Sequence, residues 1–172
     1  MFTACLLGRK SFHEFLDFIK NDGSVDTIPA EIFYRLSNLS SLKPKYKDYE
    51  LLKKLFMDNL EKFSHFAKYN FMTELETAWV MSTGDPDRPK RDSEERFEIY
   101  KYEFDNRLFS SVPGGLMRSH FYRSMLMSAI AERKIEWIEQ FIETGTPFLM
   151  RASQENMRNY ANAHFMLSKK RI

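Results

Sequence analysis

Apolar residues recur at intervals of three and four positions along most of this chain. That spacing places them on one face of an α-helix and leaves the other faces polar. The stripes before residue 116 are Phe12, Phe15, Leu16 and Ile19; Ile32, Phe33, Leu36 and Leu39; Tyr49, Leu52, Leu55, Phe56, Leu60 and Phe63; Phe71, Leu75, Ala78 and Trp79; and Phe97, Tyr100, Phe104 and Leu108. Further stripes follow, so the pattern predicts about eight helices in all.

Caps and helix-breaking residues predict where the helices in the middle of the chain begin and end. One long helix is expected from about Tyr46 to Ser64, followed by a short joint at residues 65–70. The segment from Gly84 to Asp92 holds two prolines and many charges, which predicts a solvated loop. Ser93 is then the expected N-cap of the next helix. Because the other connections are short, neighbouring helices should pack antiparallel.

Two similar breaks mark the last third of the chain, at Glu132–Ile135 and at Lys169–Ile172. A predicted helix from Met117 to Glu132 precedes the first break, and a second from Ile135 to Ile142 follows it. Ile135 and Ile172 lie 37 residues apart. A helix pair that recurs at a period between about 20 and 50 residues is typical of a helical solenoid.

This last third resembles the tetratricopeptide-like family of helical repeats. The matching positions are Tyr122, Leu126, Ala129, Arg133, Lys134, Ile135, Gly145, Ala163 and Ile172. Tyr122 stands at the early aromatic position of a first helix, and Gly145 supplies the small residue near the end of the second. Leu126 lies on the packing face of the first helix, as in the family, but it and Ile138 stand where small residues are usual, and the break lacks glycine. Parts of residues 137–165 also resemble large bacterial helical-repeat proteins that have no assigned activity.

The resemblance implies a right-handed α-α superhelix of antiparallel helical hairpins. It predicts a single helical-repeat domain over residues 1–172, with the clearest repeats at 116–172. Because Ile172 stands where another helix should begin, we expect the chain to be a fragment of a longer array. Solenoid ends normally need a polar cap, so self-association through the open C-terminal end is a corollary.

A concave binding surface is a further implication of the resemblance. It would be formed by polar positions of the last two first helices. The expected binding residues are His120, Arg123, Met127, Met157, Tyr160 and His164. A mixture of aromatic, Met, His and Arg side chains is typical of a protein or peptide contact. Ordinary surface combined with packing between hairpins stays open as the alternative.

Composition agrees with an all-α protein and gives little sign of a charged partner. The chain has 16 Phe, 8 Tyr and 10 Met but only 6 Gly, a balance that favours packed helices over sheets. Its net charge of +2 is close to neutral, so we do not expect nucleic acid as a partner. The single cysteine, Cys5, is typical of a reducing compartment. No apolar run approaches the roughly 18 residues that span a membrane, so a cytoplasmic protein without membrane contact is expected.

No set of residues has the spacing of a catalytic or metal site. The histidines are His13, His65, His120 and His164, and no two of them lie within one helical turn. Pro113–Gly115 has the glycines of a phosphate-binding loop but no lysine. The sequence therefore predicts no catalytic residues, no metal and no cofactor.

A non-catalytic protein–protein interaction scaffold is the function that these features favour. Two alternatives stay open: a helical enzyme with a site assembled from scattered polar residues, and a helical-repeat protein that binds RNA. The enzyme should show a deep polar pocket with titratable groups of shifted pKa. The RNA-binding protein should show a regular array of basic and polar side chains on its concave face.

Overall fold

The computed structural model describes residues 26–41, 45–82, 85–86, 88 and 92–169. Within these ranges the protein is all-α, as predicted. The helices are α1 (Ile28–Ser41), α2 (Tyr46–Met57), α3 (His65–Met81), α4 (Asp92–Asp105), α5 (Ser119–Ala131), α6 (Ile135–Gly145) and α7 (Arg151–Lys169), with 3₁₀ turns at Leu60–Lys62 and Thr146–Phe148. The predicted first helix, Cys5, His13 and residues 170–172 of the second break lie outside the described residues.

The end of α2 differs from the prediction of a helix that continues to Ser64. The helix ends at Met57, and a 3₁₀ turn follows. The side-chain amide of Asn59 donates to the carbonyl of Leu55 at 2.9 Å. That carbonyl is the acceptor which the Asn59 backbone amide would need to extend the helix, so the side chain competes with the helical bond.

The predicted joint at residues 65–70 is wrong, because these residues form the start of α3. The hydroxyl of Ser64 accepts a hydrogen bond from the amide of Ala67 at 3.3 Å. A serine in this position satisfies one of the free amides at a helix start. Ser64 is therefore the N-cap of α3, which moves the start of the helix to His65.

The chain folds into two compact units. The N-terminal unit contains residues 1–63 and 73–88, and the C-terminal unit contains residues 64–72 and 89–172. The expectation of one helical-repeat domain over residues 1–172 stays a prediction.

In the N-terminal unit, α1 packs against α2, and Arg88 fixes the segment that follows α3. The Arg88 guanidinium lies 4.1 Å from the centre of the Trp79 ring and donates to the Trp79 carbonyl at 2.8 Å. Asp85 accepts a hydrogen bond from the amide of Tyr46 at 2.6 Å, which places a carboxylate at the positive end of α2. The predicted solvated loop is thus anchored at Asp85 and Arg88.

In the C-terminal unit, α5 packs against α4, α6 and α7. Its buried residues include Tyr122, Met125, Leu126 and Ala129, which recur at helical spacing. The amide of Met117, just before α5, donates to the carbonyl of Phe148, just after α6, at 2.8 Å. The other ends of the two helices are joined by a short turn, so α5 and α6 form an antiparallel hairpin.

The turn between α5 and α6 lies where the sequence predicts a break. Arg133 has a φ of 53°, a left-handed conformation in which glycine is usual. The amide of Lys134 donates to the carbonyl of Ala129 at 3.0 Å, and the amide of Arg133 donates to that of Ile130 at 3.1 Å. These bonds satisfy carbonyls at the end of α5 without a glycine.

The start of α4 is joined to this turn. α4 begins at Asp92, so the prediction that Ser93 caps the helix from outside is wrong. The hydroxyl of Ser93 instead donates to the carboxylate of Glu132, and Lys134 Nζ lies 3.4 Å from Glu94 Oε1. The polar side chains at the start of α4 therefore bind the turn between α5 and α6.

Aromatic rings form much of the contact between α4, α5 and α6. The Phe141 ring stacks on Tyr122 at 4.7 Å and on Trp137 at 4.8 Å between centroids. Phe104 meets Phe141 edge-on at 5.1 Å, as Phe97 meets Trp137. Such pairs add about 0.5–1.5 kcal/mol each beyond the burial of their area. The cluster therefore fixes α6 against α5 and α4.

Candidate binding surface

One exposed stripe of α5 lies opposite its buried stripe. His120, Arg123 and Met127 are exposed, and they follow one another at intervals of three and four residues. The same helix buries Tyr122 and Leu126 against the core. Because the apolar face of α5 is buried, the three predicted residues on the opposite face are exposed to solvent.

α7 brings two more of the predicted residues to this stripe. The Arg123 guanidinium lies 5.2 Å from the centre of the Tyr160 ring. The Tyr160 and His164 rings lie 4.3 Å apart at their centroids, with an angle of 48° between the ring planes. The structure therefore joins Arg123, Tyr160 and His164 into one cluster across two packed helices. A guanidinium against a tyrosine ring contributes about 0.5–1 kcal/mol at an exposed site.

Met157 does not belong to this surface, and its predicted place at a solvated inward position is wrong. Its side chain is only 6% exposed and packs in the core with Ala161 and Phe165. These three residues are spaced by four along α7, so they share one face. Tyr160, three residues after Met157, lies at the border between that face and solvent and is half-buried.

Leu167 is an exposed residue of α7 that is not among the predicted binding residues. It is 56% exposed and follows Tyr160 by seven residues, which returns to nearly the same side of a helix. Its distance from Tyr160 is the sequence signal that could have placed it here. We call His120, Arg123, Met127, Tyr160, His164 and Leu167 together the α5–α7 surface.

The interior of α5 supports this surface through a buried tyrosine. Burial raises the pKa of Tyr122 above its ordinary value, while the hydrogen bond with Thr146 and the charge of Arg158 act in the opposite direction. Tyr122 Oη and Thr146 Oγ1 lie 3.2 Å apart, and Thr146 also donates to the carbonyl of Ile142 at 2.5 Å. These bonds fix the start of α5 against the end of α6.

The described ranges contain neither a metal-ligand cluster nor a helix that could span a membrane. No group of three or more His, Cys, Asp or Glu side chains in those ranges could hold a metal ion. None of the helices found there has the length and apolar composition needed to cross a membrane.

The α5–α7 surface thus combines a stacked arginine, two histidines and exposed Met127 and Leu167 on two packed helices. Comparisons of the chain with family models, with curated proteins and with solved structures find no match. The resemblance to tetratricopeptide-like repeats therefore stays a prediction.

Proposed function

We propose that this protein is a non-catalytic scaffold that binds another protein through the α5–α7 surface. The observation that carries the proposal is the contact of Arg123 with Tyr160 and of Tyr160 with His164. Tyr and Arg are enriched among the residues that dominate binding energy at protein interfaces. Exposed Met127 adds a flexible apolar side chain to the same stripe.

The packing of the two helices also supports the proposal. α5 and α7 pack against each other, and both pack against α6. The ring of Tyr160 contacts the core, while its neighbours Arg123 and His164 restrict its movement. Side chains that are ordered before binding lose less entropy when a partner binds. The surface therefore suits recognition without a large rearrangement.

We further propose that α5 and α6 form one repeat of a tetratricopeptide-like superhelix and that α7 opens the next. In a stack of helix pairs, each pair contacts mainly its neighbours. The packing of α7 against both α5 and α6 is consistent with that arrangement. The single cysteine supports a cytoplasmic location.

Quantitative affinity capture with three single variants tests this function. We compare the wild type with Arg123→Ala, Tyr160→Ala and Arg158→Ala, identify captured proteins, and measure the affinity of the purified partner by calorimetry. Arg158 is exposed and lies two residues before Tyr160, about 200° around α7. It is therefore a matched control on the far side of the helix.

We expect Arg123→Ala and Tyr160→Ala each to weaken binding of the purified partner by about tenfold or more. Arg158→Ala should bind like the wild type. Circular dichroism shows whether the Tyr160 variant stays folded, and Tyr160→Phe keeps the ring if it does not. Equal affinity of the wild type and the Arg123 variant for every purified partner would rule out this surface as the binding site.

A further inference from the structure

A loop before α5 brings three segments of the C-terminal unit together at one end. His65 Nε2 donates to the carbonyl of Ser110 at 2.8 Å, which brings the start of α3 to the loop. The amide of Met117 donates to the carbonyl of Phe148 at 2.8 Å. The loop therefore contacts both the start of α3 and the segment that leads into α7.

Four apolar side chains from these segments are more than half exposed. Phe66 is 62%, Val112 is 63%, Leu116 is 55% and Met150 is 61% exposed. Gly114 lies in the same loop with a φ of 74°, and a Cβ atom added there would meet no atom within 4 Å. The turn at Gly114 thus projects into solvent. We call Phe66, Val112, Leu116 and Met150 the apolar end.

The charged side chains of the segments that form the apolar end have one sign. Residues 64–72, 107–131 and 144–154 contain neither aspartate nor glutamate, although the chain has 24 acidic residues. Exposed arginines lie on the same segments, at positions 107, 118 and 151. The Arg107 guanidinium lies 5.2 Å from the centre of the Phe148 ring, which holds it beside the loop.

Most acidic residues of the C-terminal unit lie on other elements. Exposed carboxylates are found on α4 and α6, at Glu94, Glu98, Asp105, Glu136, Glu139 and Glu143, and on α7 at Glu155, four residues after Arg151. Asp105, the nearest of these in sequence to the loop, forms an ion pair with Lys101 at 2.6 Å. Cations therefore predominate around the apolar end, and most carboxylates of the unit lie elsewhere.

This combination is complementary to an anionic lipid surface. Apolar side chains on a projecting turn can enter the boundary between headgroups and acyl chains, while nearby arginines contact the phosphates. The absence of carboxylates from the three segments avoids repulsion by the same headgroups. A peptide ligand is better served by a groove than by a projecting turn. Surface contact also needs no membrane-spanning helix.

We propose that the apolar end binds the surface of an anionic phospholipid bilayer, with Val112 and Leu116 entering the interface and Arg118 contacting the headgroups. This inference is independent of the proposed partner site, because it uses a different set of side chains. Combined with the proposed function, on which this last step rests, it would let the protein hold a partner at a membrane surface.

Co-sedimentation of the full chain with lipid vesicles tests the proposal. The probes are vesicles of phosphatidylcholine alone and vesicles of equal parts phosphatidylcholine and phosphatidylserine. We expect the wild type to sediment with the anionic vesicles and to be released by high salt. The Val112→Asp/Leu116→Asp double variant should lower the partition coefficient by about tenfold or more, because it replaces inserted apolar groups with repelled charges.

Arg118→Glu and Arg133→Glu form a matched pair of charge reversals at opposite ends of α5. Both arginines are exposed, but only Arg118 lies at the apolar end. We expect Arg118→Glu to lower the partition coefficient by about fivefold or more and Arg133→Glu to leave it within about twofold. The Arg123→Ala variant should keep vesicle binding even though it loses the protein partner.

Three results would overturn the lipid proposal. The wild type could fail to sediment with anionic vesicles, or sediment equally with the double aspartate variant, or lose vesicle binding equally in both charge reversals. If vesicles do not bind but the double aspartate variant loses a captured protein, the apolar end is a protein contact instead. In each case the α5–α7 surface is judged separately by the Arg123 and Arg158 variants.

Discussion

Replacing Gly145 with alanine should destabilise the protein, although alanine is normally the better helix former. Gly145 is the last residue of α6 and is buried. A Cβ atom added there would lie 2.8 Å from Cε2 and 3.0 Å from Cδ2 of Phe141. The Gly145 φ of −85° is accessible to alanine, so the expected cost comes from the contact with Phe141.

The Phe141 ring has little freedom to move away from the new methyl group. It is stacked between Tyr122 and Trp137, at 4.7 and 4.8 Å, and Phe104 meets it edge-on at 5.1 Å. Adding a methyl group to a close-packed core costs about 1–3 kcal/mol. The gain in helix propensity is at most about 1 kcal/mol, and it is smaller at a helix end. We therefore expect a net loss of about 1–2 kcal/mol in the free energy of unfolding.

Urea unfolding followed by circular dichroism measures this loss. A double-mutant cycle with Phe141→Leu isolates the contact, because leucine removes the ring that the new methyl group would meet. In the Phe141→Leu background the same change at Gly145 should cost little or increase stability. The explanation is refuted if Gly145→Ala stabilises the wild type, or if its cost is unchanged when Phe141 is replaced by leucine.

The remaining predictions concern a titration, a burial and a cation–π contact. Because burial raises the pKa of Tyr122, the folded state favours the protonated phenol, so stability should fall as pH rises above the ordinary tyrosine pKa of about 10. Between pH 9 and 11, Tyr122→Phe should lose less unfolding free energy than the wild type, as measured by urea unfolding at each pH. Equal losses in the two proteins would contradict this. Met157→Ala should cost about 2–5 kcal/mol and Met127→Ala less than about 0.5 kcal/mol, as measured by urea unfolding; equal costs would contradict the burial of Met157. Arg88→Lys should cost about 1 kcal/mol through the lost guanidinium contact with Trp79, and an unchanged melting temperature would refute it.

Hydrophobic spacing locates most helices of the described chain, because burying one face of each helix dominates its placement. It does not locate helix ends, which depend on single hydrogen bonds. The Asn59 side chain ends α2 early, and Ser64 starts α3 earlier than the apolar stripe suggests. Ser93 shows the opposite case, since a residue with the chemistry of a cap is used for a tertiary bond to Glu132.

The candidate surface was predictable on α5 and less so on α7. On α5 the buried stripe is continuous, so the exposed positions His120, Arg123 and Met127 follow directly. On α7 the apolar positions show less clearly than on α5 which face of the helix is buried. Met157 and Tyr160 both suit a border position, and only packing against α5 and α6 decides that Met157 turns inward.

The apolar end could not be predicted from the sequence, for a different reason. Its three acid-free segments are visible in the sequence, but stretches that carry carboxylates separate them, including the rest of α3, α4 and α6. No spacing rule joins Phe66 to Val112 or Met150. Hydrogen bonds to the Ser110 and Phe148 carbonyls bring the segments together. The three segments therefore form one surface only in the folded protein. A variant of these segments could lose vesicle binding by unfolding, so vesicle binding and stability should be measured separately.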